Sequence, residues 1–141
     1  MTSESRAPVT LSADQRVLIL VVERNPAVQR LERFFLEQAG YSVEFASDGL
    51  NALERARELK PAIMVAEILV PALDGLSLCR ALKADAATSH ILVLIFSHLH
   101  AEDRALEAGA DAFLIKPLNE ELLIETVEKL VSRVGREKGT R

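Results

Sequence analysis

The feature that most limits this chain is a set of short apolar runs separated by stretches of helical period. Val17–Val22, Ile63–Ala66 and Ile91–Phe96 contain no charged residue and are rich in β-branched side chains. Such a run, apolar without alternation, marks a strand buried on both faces. Val43–Ala46 and Ala112–Ile115 read as two further strands. Between the runs, apolar residues recur every three or four positions. Asn25 and Pro26 open a first helix as cap and first-turn proline; Val28, Leu31, Phe34 and Phe35 supply its apolar face, and Gly40 ends it. Ser47-Asp48-Gly49 opens a second, which carries Leu53, Ala56 and Leu59 and stops before Pro61. A loop with Pro71 and Gly75 leads, with Asp74 as cap, into a helix with Leu76, Cys79 and Leu82. A short fourth helix spans Glu102–Ala108 before Gly109. Asn119 caps a last one with Leu122, Leu123, Val127, Leu130 and Val134.

Strict alternation of strand and helix implies an α/β fold: a doubly wound, five-stranded parallel sheet covered on both faces. A chain of 141 residues suits one such core. With 49% apolar and 27% charged residues it has the balance of a globular protein. A net charge of -4 argues against a nucleic-acid partner. No apolar run approaches the ~20 residues that span a bilayer. The start, MTSESRAPVTLSADQ, lacks the basic-then-apolar pattern of a secretory signal. A cytoplasmic location and no membrane association are therefore expected. The single cysteine, Cys79, excludes an internal disulfide and a cysteine-cluster metal site, and reads as a core residue. Residues 1–15 read as a flexible leader, 16–134 as the domain and 135–141 as a flexible basic tail, with no appended output module.

In a doubly wound sheet, chemistry collects at the carboxyl ends of the strands, near the switch in strand order. The residues there are Glu23-Arg24, Glu67, Ser97-His98 and Lys116-Pro117. These stretches resemble the response-regulator receiver domains of two-component signalling. LILVVERNPAVQRL is similar to that family's first strand and acidic turn, PAIMVAEILVPALDGLSLCRALK to its third strand, loop and helix, and EAGADAFLIKP to its fifth strand and Lys-Pro turn. The likeness runs from about Arg16 to Val134. It implies a flavodoxin-like (βα)5 fold.

The resemblance also implies a site. In the family, two acidic residues after the first strand hold Mg²⁺, and an Asp after the third takes a phosphoryl group from a histidine kinase. A Ser or Thr and a Lys then bind the phosphoryl oxygens. The acidic pair falls here on Glu23 and Arg24, the acceptor on Glu67, the hydroxyl on Ser97, the switch aromatic on Phe113 and the lysine on Lys116. Pro117 is expected to follow a cis bond. Two positions depart from the pattern. Arg24 offers only donors and a fixed positive charge, so it opposes Mg²⁺ rather than binding it. Glu67 carries its oxygens one bond further out than Asp, and in-line phosphoryl transfer depends on placement and on the metal. Loss of Mg²⁺ binding is expected, with no other cofactor. Glu23, Glu67, Arg24 and Lys116 sum to zero charge, so the expectation is that Glu67 pairs with Lys116, Arg24 or both. Between Ser97 and Gly109, HLHAEDRALEA is about one helical turn shorter than the family spacing.

Three readings follow from these residues. The first is a stand-alone, non-enzymatic, atypical receiver that acts by protein contacts through the fourth helix, fifth strand and fifth helix, with a histidine kinase or another signalling protein as partner. The second is a phosphoacceptor that uses Glu67, or a nearby acid such as Asp74. The third is a switch that binds a small anion through Arg24, Lys116 and Ser97. A monomer or weak homodimer is expected in each case. No catalytic residue is assigned. His90, His98 and His100 read as exposed loop residues without a ligand cluster.

Overall fold

A computed structural model describes residues 16–139, with side chains described through Val134. The leader over residues 1–15 lies outside the described residues. The chain runs β1 (Leu18–Val22), α1 (Pro26–Gln38), β2 (Ser42–Ala46), α2 (Gly49–Leu59), β3 (Ile63–Ala66), α3 (Gly75–Ala84), β4 (Leu92–Ser97), α4 (Glu102–Glu107), β5 (Ala112–Ile115) and α5 (Glu120–Gly139). The five strands form one parallel sheet in the order β2-β1-β3-β4-β5. The switch in order falls between β1 and β3, where a doubly wound sheet opens a crevice.

Each central strand is apolar throughout because both its faces are covered. Leu20 and Val22 of β1, with Met64 and Ala66 of β3, face a cluster that includes Ala52 and Ala56 of α2 and Leu78, Cys79 and Leu82 of α3. Ile19 and Val21, with Ile63 and Val65, face a second cluster with Leu36 of α1 and Leu123, Val127 and Leu130 of α5. Cys79 is wholly buried, as a small apolar residue would be.

The helices begin where side-chain caps satisfy the first free amides. Asn25 accepts from the amides of Ala27 and Val28, Asp48 from that of Asn51, Asp74 from those of Leu76 and Ser77, and Asn119 from that of Leu122. Only α4 lacks such a cap, and it has six residues. The helical backbone of α5 continues to Gly139, past the Val134 boundary that the apolar pattern suggests. Arg136, Glu137 and Lys138 are good helix formers and carry the helix past Gly135. No helix among the described residues is long and apolar enough to cross a membrane.

The inward face of α1 differs from expectation. Leu31 and Phe34 are exposed, at 47% and 55%, while Glu32 and Leu36 are buried. The stripe that meets the sheet follows Val28, Glu32 and Leu36 at four-residue steps, with Phe35 beside it. A glutamate thus stands in the middle of an otherwise apolar row.

Candidate functional site

The β ladder brings four polar side chains to one end of the sheet. The backbone amide of Glu23 bonds to the Ala46 carbonyl, that of Glu67 to Val22 and that of Lys116 to Ser97, so each residue continues its strand by one step. Ser97 is the last residue of β4. Glu23, Glu67, Ser97 and Lys116 are all buried. The loop after β3 closes tightly over this end: a Cβ at Gly75 would lie 2.5 Å from the Glu67 carbonyl oxygen, so only glycine fits there.

One cation serves two carboxylates. Lys116 Nζ lies 2.7 Å from Glu23 Oε1 and 3.0 Å from Glu67 Oε1. The other oxygens are also occupied. Glu23 Oε2 accepts from the Asn25 amide at 3.0 Å. Glu67 Oε2 accepts from the Leu69 amide at 3.1 Å and from the Ser97 hydroxyl in a short contact. Ser97 Oγ in turn accepts from the Leu99 amide at 3.3 Å. The ammonium also sits 5.4 Å from the centre of the Phe96 ring. The Lys116–Pro117 peptide is cis.

These bonds govern ionisation. Burial pushes the Glu67 carboxyl up, but the bonds from Ser97, Leu69 and Lys116, with the Lys116 charge, outweigh it and hold it below the ordinary carboxylate value. Burial pulls Lys116 down, yet its bonds to Glu23 and Glu67 and their charges raise it above the ordinary lysine value. Both groups therefore stay charged around neutrality.

Arg24 does not join this ring. It is exposed, and among the described residues it makes no ion pair. The expected pairing of Glu67 therefore holds for Lys116 and not for Arg24. Glu23 points into the crevice; its neighbour keeps a strongly hydrated guanidinium in water, at no desolvation cost. Arg24 does line the mouth of the cleft, about 150 Å³ in volume, with Glu23, Asn25, Glu67, Leu69, His98 and Lys116.

The remaining residues fall into place around it. Asp74 is the cap of α3; its second oxygen accepts from the Ser77 hydroxyl at 2.8 Å, so both its oxygens are engaged in capping. Phe113 is partly buried against the cluster under α2, α3 and α4. His90, His98 and His100 are exposed, and among the described residues no group of three or more His, Cys, Asp or Glu is arranged to hold a metal ion.

One residue escaped sequence reasoning. Glu32 is 1% exposed, and its Oε1 has no hydrogen-bond partner. Burial, and then the negative charge of Glu23, push its carboxyl up to about 8; Lys116 opposes the shift and Glu67 adds to it. Electrostatically it belongs to the site, though it comes from a helix. The signal was present in the four-residue row Val28–Glu32–Leu36, once that row is taken as the buried one.

A doubly wound sheet with an acid after β1, an acid after β3, a hydroxyl at the end of β4 and a lysine before a cis-proline after β5 defines a receiver-type domain. A family model described as the response regulator receiver domain matches residues 19–128, and the chain belongs to that family. Response regulator MprA of Mycobacterium sp. strain KMS is 39% identical over 124 residues, which cover 87% of this chain and 54% of that protein. The DNA-binding dual master transcriptional regulator RpaA of Synechocystis sp. is 33% identical over 121 residues, 84% of this chain and 50% of that one. The chain thus spans about half the length of these curated relatives. Among solved structures, the signal receiver domain of a signal transduction histidine kinase from Syntrophus aciditrophicus is similar with a TM-score of 0.79 and 33% identity, over 84% of this chain and 92% of that one.

Proposed function

We propose that this receiver domain relays signals by protein contact, without an enzymatic step, independently of Mg²⁺ and of aspartyl-phosphate chemistry. The observation that carries the reading is the shared ammonium: Lys116 Nζ bonds to Glu23 at 2.7 Å and to Glu67 at 3.0 Å. A divalent cation needs free carboxylate oxygens. Here the inner oxygen of each glutamate is taken by the lysine, and Glu67 also accepts from Ser97 and Leu69. Arg24, at the cleft mouth, adds a fixed positive charge where a second acid would attract the ion. The residues present do not suit Mg²⁺.

The surface proposed for the partner lies on α4, β5 and α5. Leu106, Ile115 and Leu122 are exposed there, and His100, Glu102, Phe113 and Leu122 border a shallow cleft. Exposed apolar side chains rimmed by charge suit a protein partner. Signalling proteins, a histidine kinase among them, are the partner class proposed. Nucleic acid is not: the net charge is -4. The DNA-binding activity in the name of the Synechocystis relative belongs to a protein of which this chain spans about half.

Two measurements test the reading. Titration with millimolar Mg²⁺ is expected to give no binding heat and no stabilisation, while Arg24→Asp recovers weak binding. Treatment with acetyl phosphate is expected to leave the intact mass unchanged, while Arg24→Asp combined with Glu67→Asp gains one phosphoryl group. A phosphoryl group found on Glu67 of the unmodified chain overturns the proposal.

A further inference from the structure

Glu32 has no part in the contacts proposed above, yet it is the most deeply buried carboxyl of the described residues and carries an unbonded oxygen. An orphaned polar atom in a core costs on the order of 1–3 kcal/mol. A residue that incurs that cost invites a functional explanation. Its surroundings are known from every side. Along α1 it stands between Val28 and Leu36. From α5, which packs on the same side of the sheet, the neighbouring cluster receives Leu123, Val127 and Leu130, all apolar. The charges that bear on it come from three strand ends: Glu23 after β1, Glu67 after β3 and Lys116 after β5. Two of these are negative and one is positive, and the positive one is already shared.

We propose that Glu32 makes the strand-end site proton-linked: neutral, it leaves Lys116 to Glu23 and Glu67; ionised, it competes for that ammonium and loosens the Glu67–Lys116 contact. The step is a proton loss from the Glu32 carboxyl to water. The new carboxylate lies in a low-dielectric core and needs a counter-ion, and Lys116 is the buried cation within its electrostatic reach. Drawing Lys116 toward α1 weakens the hold on Glu67. The Glu67–Ser97 bond and the loop amides that lean on it, Leu69 and Leu99, must then readjust. Those loops border the crevice, so the device couples external pH to the end of the domain where receivers change state. It needs neither Mg²⁺ nor phosphorylation and stands whether or not the proposal above does.

The test is a pH titration of the folded chain followed by NMR, with no kinase or metal present. The side-chain carboxyl carbon of Glu32 is expected to titrate near pH 8 rather than near 4.5. The amide resonances of Leu69 and Leu99 are expected to move with the same midpoint. Glu32→Gln, which keeps the shape, and Glu32→Leu, which fills the row with an apolar residue, should each abolish that midpoint at both amides. His98→Asn should leave it in place, since His98 is the other titratable group at the cleft that changes charge near neutrality. Three results overturn the proposal: a Glu32 carboxyl that titrates in the ordinary range, loop amides that stay flat while Glu32 titrates, or a midpoint that survives Glu32→Gln or disappears in His98→Asn. The carboxyl observation uses the unmodified chain, so it decides the first point even where a variant fails to fold.

Discussion

At the carboxyl ends of β1, β3 and β5, two buried glutamates share one lysine and every carboxylate oxygen has a donor. On the inner face of α1, a third buried glutamate has an oxygen with none. The same side chain at similar burial thus meets opposite fates. Glu67 is held below the ordinary carboxylate value by its bonds, and Glu32 is pushed up to about 8 by burial and neighbouring charge. Burial alone does not set the charge of a carboxyl; the donors supplied with it do. Strand ends supply them because loop amides and converging side chains meet there. The middle of a helix cannot, because its backbone amides are already bonded along the helix.

Removing the shared cation gives the largest expected effect. Lys116→Met leaves Glu23 and Glu67 facing each other with no counter-charge, and is expected to cost about 3–5 kcal/mol at neutral pH in urea unfolding. That loss should shrink in acid. Glu67, depressed in the folded state, contributes stability that is present above its unfolded value and fades as pH falls through its folded one. A cost no larger than that of a surface change would break the comparison at its stronger end.

Glu67→Ala keeps Lys116 on Glu23 but strips Ser97 and Leu69 of their acceptor, and is expected to cost about 1–3 kcal/mol. Combined with Lys116→Met, the loss should fall short of the sum, because the two groups are in contact. Additivity in that cycle would show Glu67 to be a solvated remnant.

Glu32→Leu should act in the opposite direction. Replacing an orphaned carboxyl in an apolar row is expected to stabilise the domain by about 1–2 kcal/mol near neutral pH. The pH profile sharpens the point. Because the folded value is raised, the contribution of Glu32 is fully present below about 4.5 and is lost as pH rises through about 8. Melts of the unmodified chain should therefore weaken over that window, and those of Glu32→Leu should be flatter. Equal slopes would place the raised ionisation elsewhere.

The smallest effect belongs to Arg24→Ala. The side chain is exposed and unpaired among the described residues, so the change in stability should stay within about 0.5 kcal/mol. It should also be additive with Glu67→Ala. A strong coupling between the two would restore Arg24 to the buried ring from which its exposure excludes it.

The sequence by itself determined the architecture and the identity of most strand-end residues. Runs such as Ile63–Ala66, apolar at every position, admit little but a strand covered on both faces, and Asn25, Asp48, Asp74 and Asn119 mark helix starts by chemistry that acts within three residues. Local rules of this kind are legible because cause and effect sit close together in the chain. Which residues would pair was another matter. That Lys116 is shared by Glu23 and Glu67, across 93 positions in the first case, while Arg24 turns to solvent, depends on how three strand ends converge. The buried stripe of α1 was likewise ambiguous: Val28, Leu31, Phe34 and Phe35 and the row through Glu32 are both helical in period. Only the packing of α1 against the sheet beside α5 chose between them, since a helix with apolar residues on more than half its circumference has no inward side until a neighbour covers one.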